Sequence, residues 1–270
     1  MGFTRAGLLA AVERSPAAAA AHDRSGWVGL FTPGARVEDP VGAGQHIGHA
    51  AIGRFYDTFI GPRDITFHPE VDLVVGSTVI RDLEIEARMS PTLILRIPAY
   101  LRYDMQGDHG EAKIAALHAF WELRTMVGQF LRNGIRAATP PGLRLSKDLL
   151  ANQGVAGTID YVGGLRGTGV GGKRLFGRFL DAACAGDEVG MRRRLATDPR
   201  ISSGDDLRLS AGDLLRHLAG CRWRKMIASG RFVVVGTERA GQCSVVFGEV
   251  GSEPAAIKSI RVFSETGEAS

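Results

Sequence analysis

Hydrophobic and polar residues alternate along the first half of the chain with two different periods. Three segments with helical spacing and one short β-prone segment come first, and four long segments with the two-residue alternation of β-strands follow. The predicted helices and the short strand cover 4–14, 16–31, 49–60 and, for the strand, 36–39. The predicted long strands cover 64–75, 77–88, 92–105 and 112–126. This order predicts an α+β fold in which about three helices pack on a curved, mostly antiparallel sheet.

The second half repeats this order of elements in a shorter form. Residues 21–39 align with residues 185–203 without a gap. The alignment gives three equivalent pairs: Asp23 with Asp187, Phe31 with Leu195, and Asp39 with Ser203. The repeated elements are helices at 172–187, 188–198 and 210–220, a short strand at 200–202, and strands at 224–229, 231–239, 242–250 and 255–265. We infer a tandem duplication of one α+β module.

A glycine-rich segment separates the two halves. It contains a Pro-Pro pair and one predicted helix, at 143–153. We therefore predict a first domain at 1–131, a linker at 132–172 and a second domain at 173–270.

Composition limits the function classes. The formal net charge is +4 and hydrophobic residues make up 44% of the chain, but no continuous basic face with interleaved aromatic residues is evident, so we expect no nucleic-acid partner. No apolar run approaches 18 residues, so we expect no membrane span. The three cysteines, Cys184, Cys221 and Cys243, lack metal-ligand spacing. We expect a cytoplasmic protein with reduced thiols, no metal and no cofactor.

Residues 167–174, GTGVGGKR, partly match a phosphate-binding loop. Arg174 stands where that loop requires the serine or threonine that contacts Mg²⁺. The segment before it, TIDYVGGLR, is short and interrupted by glycines, so it does not predict a buried strand. We interpret the segment as a linker that enters a helix, without a nucleotide site.

Asp39 is the main candidate for chemistry. Pro40 restricts Asp39 to an extended conformation and cannot donate a ladder hydrogen bond, so the strand ends here. A glycine-rich turn and a helix with the pair Phe55 and Tyr56 follow. The pattern favours a carboxylate at the mouth of an apolar pocket, and the alternative interpretation is a solvated aspartate in a turn.

The segment VEDPVG, followed by G-x-A-A-I-x-x-F-Y, resembles the catalytic segment of the Δ5-3-ketosteroid isomerases. These enzymes belong to the cone-shaped superfamily that includes nuclear transport factor 2 and the SnoaL-like polyketide cyclases. The resemblance implies two tandem domains of this fold and a cofactor-independent enzyme acting on a hydrophobic, polycyclic small molecule. It further implies that Asp39 shuttles a proton, and that such modules pair through their sheets. We therefore expect an intramolecular pseudo-dimer or a homodimer, with a degenerate second domain because Ser203 replaces the base.

The resemblance also implies which residues donate hydrogen bonds to the substrate oxygen and which line the pocket. The sequence differs from the family at both positions of the oxyanion hole. The family's oxyanion tyrosine falls at Ser15, and its oxyanion acid falls at Ala99 or, with the proline of RIPAY as anchor, at Tyr100. Tyr56 matches a supporting tyrosine and is a candidate donor, as is Tyr100. The expected substrate-binding residues are Ser15, Trp27, Phe55, Ala99 and Trp121.

A group of acids on the second long strand supports another mechanism. Asp82, Glu84 and Glu86 share one strand face, at positions where the isomerases have apolar pocket residues. If they face Asp39, paired carboxylates could divide acid and base roles, as in a SnoaL-like cyclase, a dehydratase or an epoxide hydrolase. Alternatively these acids face solvent. A third hypothesis is a non-catalytic binding module.

Overall fold

The computed structural model describes residues 3–90, 93–132, 167–251 and 255–265. The chain divides into two compact units, Met1–Leu165 and Arg166–Ser270. Each unit has one six-stranded mixed sheet with helices packed against it. The predicted α+β class with two tandem modules is therefore confirmed. The linker helix predicted at 143–153 lies outside the described residues.

Unit 1 builds its sheet in the order β2-β1-β6-β5-β4-β3. The β1–β6 pair is parallel and the other pairs are antiparallel. The strands are β1 (Phe31–Glu38), β2 (His46–Ile47), β3 (Asp64–Val75), β4 (Thr78–Ser90), β5 (Leu93–Asp108) and β6 (Glu111–Phe120). The helices are α1 (Arg5–Ala20), α2 (Arg24–Gly29), α3 (Gly48–Phe55) and α4 (Leu123–Arg132), and a π-helical turn, Tyr56–Ile60, continues α3.

Strict alternation on β5 shows how the sequence builds the core. Leu93, Leu95 and Ile97 are buried, while Ile94 and Arg96 between them are exposed. Successive residues of a strand point to opposite faces, so the apolar set lies together on the side that the helices cover. Leu8 and Val12 of α1 belong to the same buried cluster. The core of unit 1 therefore lies between the helices and one face of the sheet.

Three predicted boundaries in unit 1 are wrong. Phe31, the last residue of the helix predicted at 16–31, begins β1 instead, so the strand predicted at 36–39 starts five residues earlier. Pro16 does not begin a second helix but lies inside α1, which continues through the following alanines, strong helix formers, to Ala20. The chain turns at His22, which has a positive φ of 52°, and Asp23 then caps α2. The strand predicted at 112–126 ends at Phe120, and its last residues belong to α4 instead.

Unit 2 has the same strand order, β8-β7-β12-β11-β10-β9, again with one parallel pair, β7–β12. Its helices are α5 (Gly169–Cys184), α6 (Glu188–Arg192) and α7 (Ala211–Leu218). Its strands are β7 (Leu195–Ser203), β8 (Leu207–Arg208), β9 (Arg222–Ser229), β10 (Phe232–Arg239), β11 (Gln242–Val250) and β12 (Ile257–Ser264). The helix predicted at 188–198 is too long, because β7 already starts at Leu195.

The predicted register of the repeat is confirmed by matching caps. Asp23 accepts a hydrogen bond from the Gly26 backbone at 2.8 Å, and Asp187 accepts one from the Gly190 backbone at 2.9 Å. Both aspartates are N-caps of the short second helix of their unit. A Cβ atom on either glycine would lie 2.1 Å from the capping carboxylate, so a larger residue at either place would displace the cap.

Candidate functional site

Unit 1 encloses a cavity of about 120 Å³ between its helices and its sheet. The walls are mostly apolar. Aromatic rings come from helices and strands alike: Trp27, Phe55, Phe59, Phe67 and Trp121. Four described lining residues carry ionisable or hydroxyl groups: Ser15, Asp39, Arg63 and Tyr103. These four decide what the cavity can do chemically.

Asp39 follows directly after β1 and lines the cavity. The alternation that buries Ala35 and Val37 brings Asp39 to the same side of the strand. The Trp121 indole Nε1 donates a hydrogen bond of 2.5 Å to Asp39 Oδ1. The residue as a whole keeps partial solvent exposure, while its carboxyl group lies among the apolar walls.

The surroundings of Asp39 favour its neutral form. Burial of the carboxyl raises the pKa of Asp39 to about 6, and the hydrogen bond from Trp121 acts in the opposite direction. A carboxyl group with this pKa changes its protonation state close to neutral pH. It can therefore both accept and return a proton.

Tyr103, on the inner face of β5, presents a hydroxyl group to the same cavity. This side chain is buried and lines the cavity. Burial raises the pKa of Tyr103 to about 12, so the phenol stays protonated at neutral pH. Its hydroxyl forms a hydrogen bond with the Ser15 hydroxyl.

A short chain of hydrogen bonds links the side chains of Trp27, Ser15 and Tyr103. The Trp27 indole Nε1 donates to Ser15 Oγ at 3.1 Å. An indole N–H can only donate, so Ser15 accepts here and its own proton is available for the Tyr103 oxygen. The Tyr103 proton can then be donated to a ligand in the cavity. A donor held in this way can stabilise negative charge on a ligand oxygen.

Arg63, just before β3, brings a positive charge to the cavity wall. Its Nη1 donates a hydrogen bond of 2.5 Å to the Thr58 backbone carbonyl, near the end of the π-helical turn. The residue is half-buried.

Helix α4 closes the cavity beside β5. Strand β6 pairs with β5 only as far as Tyr100, so no strand of the described ranges lies on that side of the first residues of β5. The Gln129 side chain takes this place at Arg96. Its Oε1 accepts from the Arg96 backbone N–H at 3.1 Å, and its Nε2 donates to the Arg96 carbonyl at 2.6 Å. Met126, one turn earlier, lines the cavity.

Residues 12–126 match the model of the family described as the SnoaL-like domain. Unit 1 contains a SnoaL-like domain. The matched residues include Asp39, Tyr103 and the other cavity walls named above. No curated protein matches the chain.

Solved structures similar to the chain each cover about half of it. The protein RV0760c of Mycobacterium tuberculosis is 22% identical over 45% of this chain and 96% of its own, with a TM-score of 0.41. A Δ5-3-ketosteroid isomerase from a Mycobacterium species is 25% identical over 44% and 95%, with a TM-score of 0.39. An epoxide hydrolase of the LEH-like type from M. tuberculosis is 14% identical over 50% and 97%, with a TM-score of 0.41.

The SnoaL-like domain brings five of the predicted site residues together around its cavity: Ser15, Trp27, Asp39, Phe55 and Trp121. Ala99 is buried on the same face of β5 but is not among the lining residues. Tyr56 packs behind the wall, with its ring centroid 5.5 Å from that of Trp27. The Tyr56 hydroxyl is buried and has no hydrogen-bond partner among the described residues. Tyr56 therefore does not reach the cavity as the predicted donor should.

The acids predicted to work with Asp39, and the predicted donor Tyr100, lie on the face of the sheet that points away from the cavity. On β4, Ile85, Ala87 and Met89 line the cavity, so Asp82, Glu84 and Glu86 point to the opposite face. Glu84 and Glu86 contact the Arg96 guanidinium there, at 3.1 and 3.2 Å. Tyr100 is paired with Asp82 across the strands and shares that outer face. The hypothesis of paired carboxylates facing Asp39 is therefore corrected.

Sequence reasoning missed Tyr103 and Arg63. The signal for Tyr103 was present, since the apolar alternation Leu95, Ile97, Ala99 and Leu101 continues to position 103. Counting from the hairpin and from the proline instead led to Ala99 and Tyr100. Arg63 carries no pattern that separates it from a surface arginine after a turn.

The interior of unit 2 holds aromatic and aliphatic side chains at its centre. Phe176, Phe179 and Leu180 of α5 are fully buried. Phe176 lies so close to β11 that a Cβ atom on Gly248 would be 2.1 Å from its ring. In the segment that partly matches a phosphate-binding loop, residues Gly169–Arg174 form the first turns of α5.

Neither a membrane span nor a metal centre is found in the parts of the chain that the structure describes. None of their helices is long and apolar enough to cross a membrane. The same residues contain no group of three or more His, Cys, Asp or Glu side chains placed to hold a metal ion.

Proposed function

We propose that the SnoaL-like domain catalyses proton transfer next to a carbonyl group in a hydrophobic cyclic small molecule, without a cofactor. One observation carries the proposal. A carboxyl group with a pKa of about 6 and a protonated tyrosine hydroxyl line the same apolar cavity. This pair suits enolisation, in which a base removes a proton while a donor stabilises the oxygen that becomes negative.

Asp39 would act as the base and the shuttle. Its ionised carboxylate takes the proton from the carbon next to the carbonyl, and the neutral acid then returns it at another carbon. The Trp121 bond to Oδ1 fixes the carboxyl group, so the other oxygen is the one available to the ligand.

Tyr103 would donate to the enolate oxygen. Tyr103 would therefore take the role of hydrogen-bond donor that was predicted for Tyr56 and Tyr100. The Trp27–Ser15 pair behind it supports this assignment, because it holds the phenol oxygen in place and the phenol proton can be donated to the ligand.

The cavity volume restricts the substrate. Sites for drug-sized ligands typically enclose about 300–1,000 Å³, and the present cavity is about 120 Å³. A polycyclic substrate would therefore need the walls to move outward. Met89 and Met126 are the lining residues best suited to this, because an unbranched thioether side chain repacks readily.

A two-carboxylate reaction, such as opening an epoxide, has weaker support. Asp39 is the one carboxylic acid among the described residues that line the cavity. Asp82 and Glu84, the acids that the sequence offers as its partner, point to the other face of β4.

Deuterium exchange tests the proposal without knowledge of the natural substrate. β,γ-Unsaturated cyclic ketones with one to four rings would be incubated in D₂O with the full chain, and deuterium next to the carbonyl would be followed by NMR. We expect exchange with at least one ketone, and a loss of about 10²–10⁴-fold in Asp39→Asn, whose side chain keeps the shape but not the basicity.

The repeat supplies a matched control for this experiment. Ser203 occupies the position equivalent to Asp39 in unit 2, so Ser203→Ala should exchange at the wild-type rate. Full exchange activity in Asp39→Asn would refute a catalytic role for Asp39 and leave a non-catalytic binding module as the better account.

A further inference from the structure

We propose, building on the function above, that the substrate is a ketone with a single ring, and that Met126 of α4 is the residue that excludes a second ring. The proposal rests on the volume of the cavity and on which of its walls are fixed by their neighbours.

The volume of the cavity is close to that of one six-membered ring. The cavity in unit 1 measures about 120 Å³. An apolar cavity of about 150 Å³ lined by leucine, isoleucine and phenylalanine binds one benzene molecule. A fused four-ring skeleton has roughly three times as many carbon atoms as benzene, so it needs roughly three times that volume. A single ring is therefore the skeleton that fits while the walls stay in place.

The aromatic wall on the helix side is held by rings that do not themselves line the cavity. The ring centroid of Trp27 lies 4.7 Å from that of Phe31 and 5.5 Å from that of Tyr56. Phe55 stacks on Trp27, with the two centroids 6.2 Å apart. An outward shift of this wall would break these contacts, and a close-packed interior resists such a shift.

The wall on the sheet side is held by backbone hydrogen bonds. Leu95, Ile97 and Leu101 of β5 line the cavity, and β5 pairs with β4 along this whole stretch. A strand cannot move outward at one residue without breaking ladder bonds at the neighbouring residues. A second ring therefore gains no space on this side.

Helix α4 forms the wall that sets the size limit. Met126 of this helix is buried and lines the cavity. The Gln129 side chain, one turn further on, bonds to the Arg96 backbone and so keeps Met126 against β5. An unbranched thioether side chain fills irregular space, so Met126 occupies volume that a second ring would need.

Met105 distinguishes this role from ordinary core packing. Met105 and Met126 belong to the same buried hydrophobic cluster, but Met105 does not line the cavity. Truncation of either methionine to alanine should destabilise unit 1, because both side chains are buried. Only truncation of Met126 should change which ketones are converted.

Ketones that differ in the number of rings provide the test. Cyclohex-3-enone and its fused two-ring and four-ring homologues would each isomerise to the conjugated enone, with no atom gained or lost. The ultraviolet absorption of the conjugated product reports the rate. We would measure kcat/KM with the full wild-type chain, with Met126→Ala and with Met105→Ala. Phenol, 2-naphthol and estradiol, which cannot isomerise in this way, would be titrated by calorimetry to report binding without chemistry.

We expect the wild-type kcat/KM to be about 10–100-fold lower for the two-ring ketone than for cyclohex-3-enone, as overpacking of a filled site gives, and lower still for the four-ring ketone. Met126→Ala should raise the value for the two-ring ketone about ten-fold. Met105→Ala should leave the ranking of the three ketones unchanged. In the wild type 2-naphthol should bind no more tightly than phenol, although it offers more apolar surface.

Each other outcome overturns part of the proposal. If the wild type converts the two-ring or four-ring ketone at least as well as cyclohex-3-enone, the size limit is wrong while the proposed reaction stands. This ranking needs no variant, so it decides the size limit even if a variant does not fold. If Met126→Ala leaves the ranking unchanged, or Met105→Ala changes it equally, Met126 does not set the limit.

Failure of the proposed reaction is recognised separately. If no ketone is converted, the reaction is lost and the phenols decide the size limit. Tighter binding of 2-naphthol or estradiol than of phenol by the wild type then overturns the limit, and the reverse order supports it. If none of the three phenols binds, the limit is overturned together with the apolar ligand on which it rests.

Discussion

Trp121 donates its indole proton to Asp39 across 82 positions of sequence, at a distance of 2.5 Å. The bond joins the residue just after β6 to the residue just after β1, the two strands that form the parallel pair of unit 1. Because parallel strands end at the same edge of the sheet, both side chains meet at one end of that pair. The environment of Asp39 is thus set by burial and by a single indole.

Replacing Trp121 with phenylalanine should raise the pKa of Asp39 above about 6. The indole bond stabilises the ionised carboxylate, so its loss favours the neutral acid. The acid limb of the exchange rate against pH, which reports ionisation of the base, should move to higher pH, and exchange below that limb should fall. An NMR titration of the Asp39 carboxyl checks the shift directly. An unchanged or lower pKa would contradict the assigned contact.

The Asp39→Asn variant should gain stability relative to the wild type as the pH rises from 4 to 8. The pKa of Asp39 is raised to about 6 in the folded protein, against about 3.9 when unfolded, so the folded state holds its proton more tightly. The ionised, buried carboxylate therefore destabilises the wild type above pH 6 and has no such effect below pH 4. The difference between the two proteins should grow by at most about 3 kcal/mol, measured by urea unfolding at both pH values. Ser203→Ala should show no comparable dependence.

Tyr103→Phe should lower the exchange rate by about 10²-fold, as removal of one oxyanion donor does, with little change in ligand affinity. Ser15→Ala should lower the rate less, because Ser15 acts through Tyr103. The double variant should then match Tyr103→Phe alone, since Ser15 has nothing left to orient. Additive losses in the double variant would contradict the chain from Trp27 through Ser15 to Tyr103. Glu84→Gln, on the other face of the sheet, serves as the control and should retain the wild-type rate.

The sequence predicted the elements well where the information is local. The β3 span, Asp64–Val75, depends on neighbours only a few positions away, and it was predicted with the same bounds. The alignment of the repeat paired Asp23 with Asp187, but it did not predict that both residues are helix caps. The helix start predicted at Pro16 was wrong. Proline is common at the first position of a helix, but here α1 continues past it through the alanines to Ala20.

The candidate site was less predictable because it depends on which face of a strand is covered. Alternation separated Glu84 from Ile85 correctly, but it could not say which of the two faces the helices would cover. The bond between Asp39 and Trp121 and the hydrogen bond between Ser15 and Tyr103 arise only when distant segments meet. Tyr103 continues the β5 alternation of Leu95, Ile97, Ala99 and Leu101, whereas the alignment with the isomerases predicted Ala99 or Tyr100 instead.

The two hydrogen bonds between the Gln129 side chain and the Arg96 backbone affect how fast a ligand can enter and leave the cavity. At Arg96, the amide of Gln129 makes the two backbone hydrogen bonds that a neighbouring strand would make. Together the two bonds contribute only about 1–3 kcal/mol to the free energy that holds α4 against β5. If release of these two bonds is what parts α4 from β5, a free energy of that size leaves an open form populated at roughly 0.6 to 16 per cent. A ligand then enters and leaves during brief, frequent openings rather than through a permanent channel. Breaking the two bonds with Gln129→Ala would shorten the residence time of a bound ligand far more than it would alter the proton-transfer step.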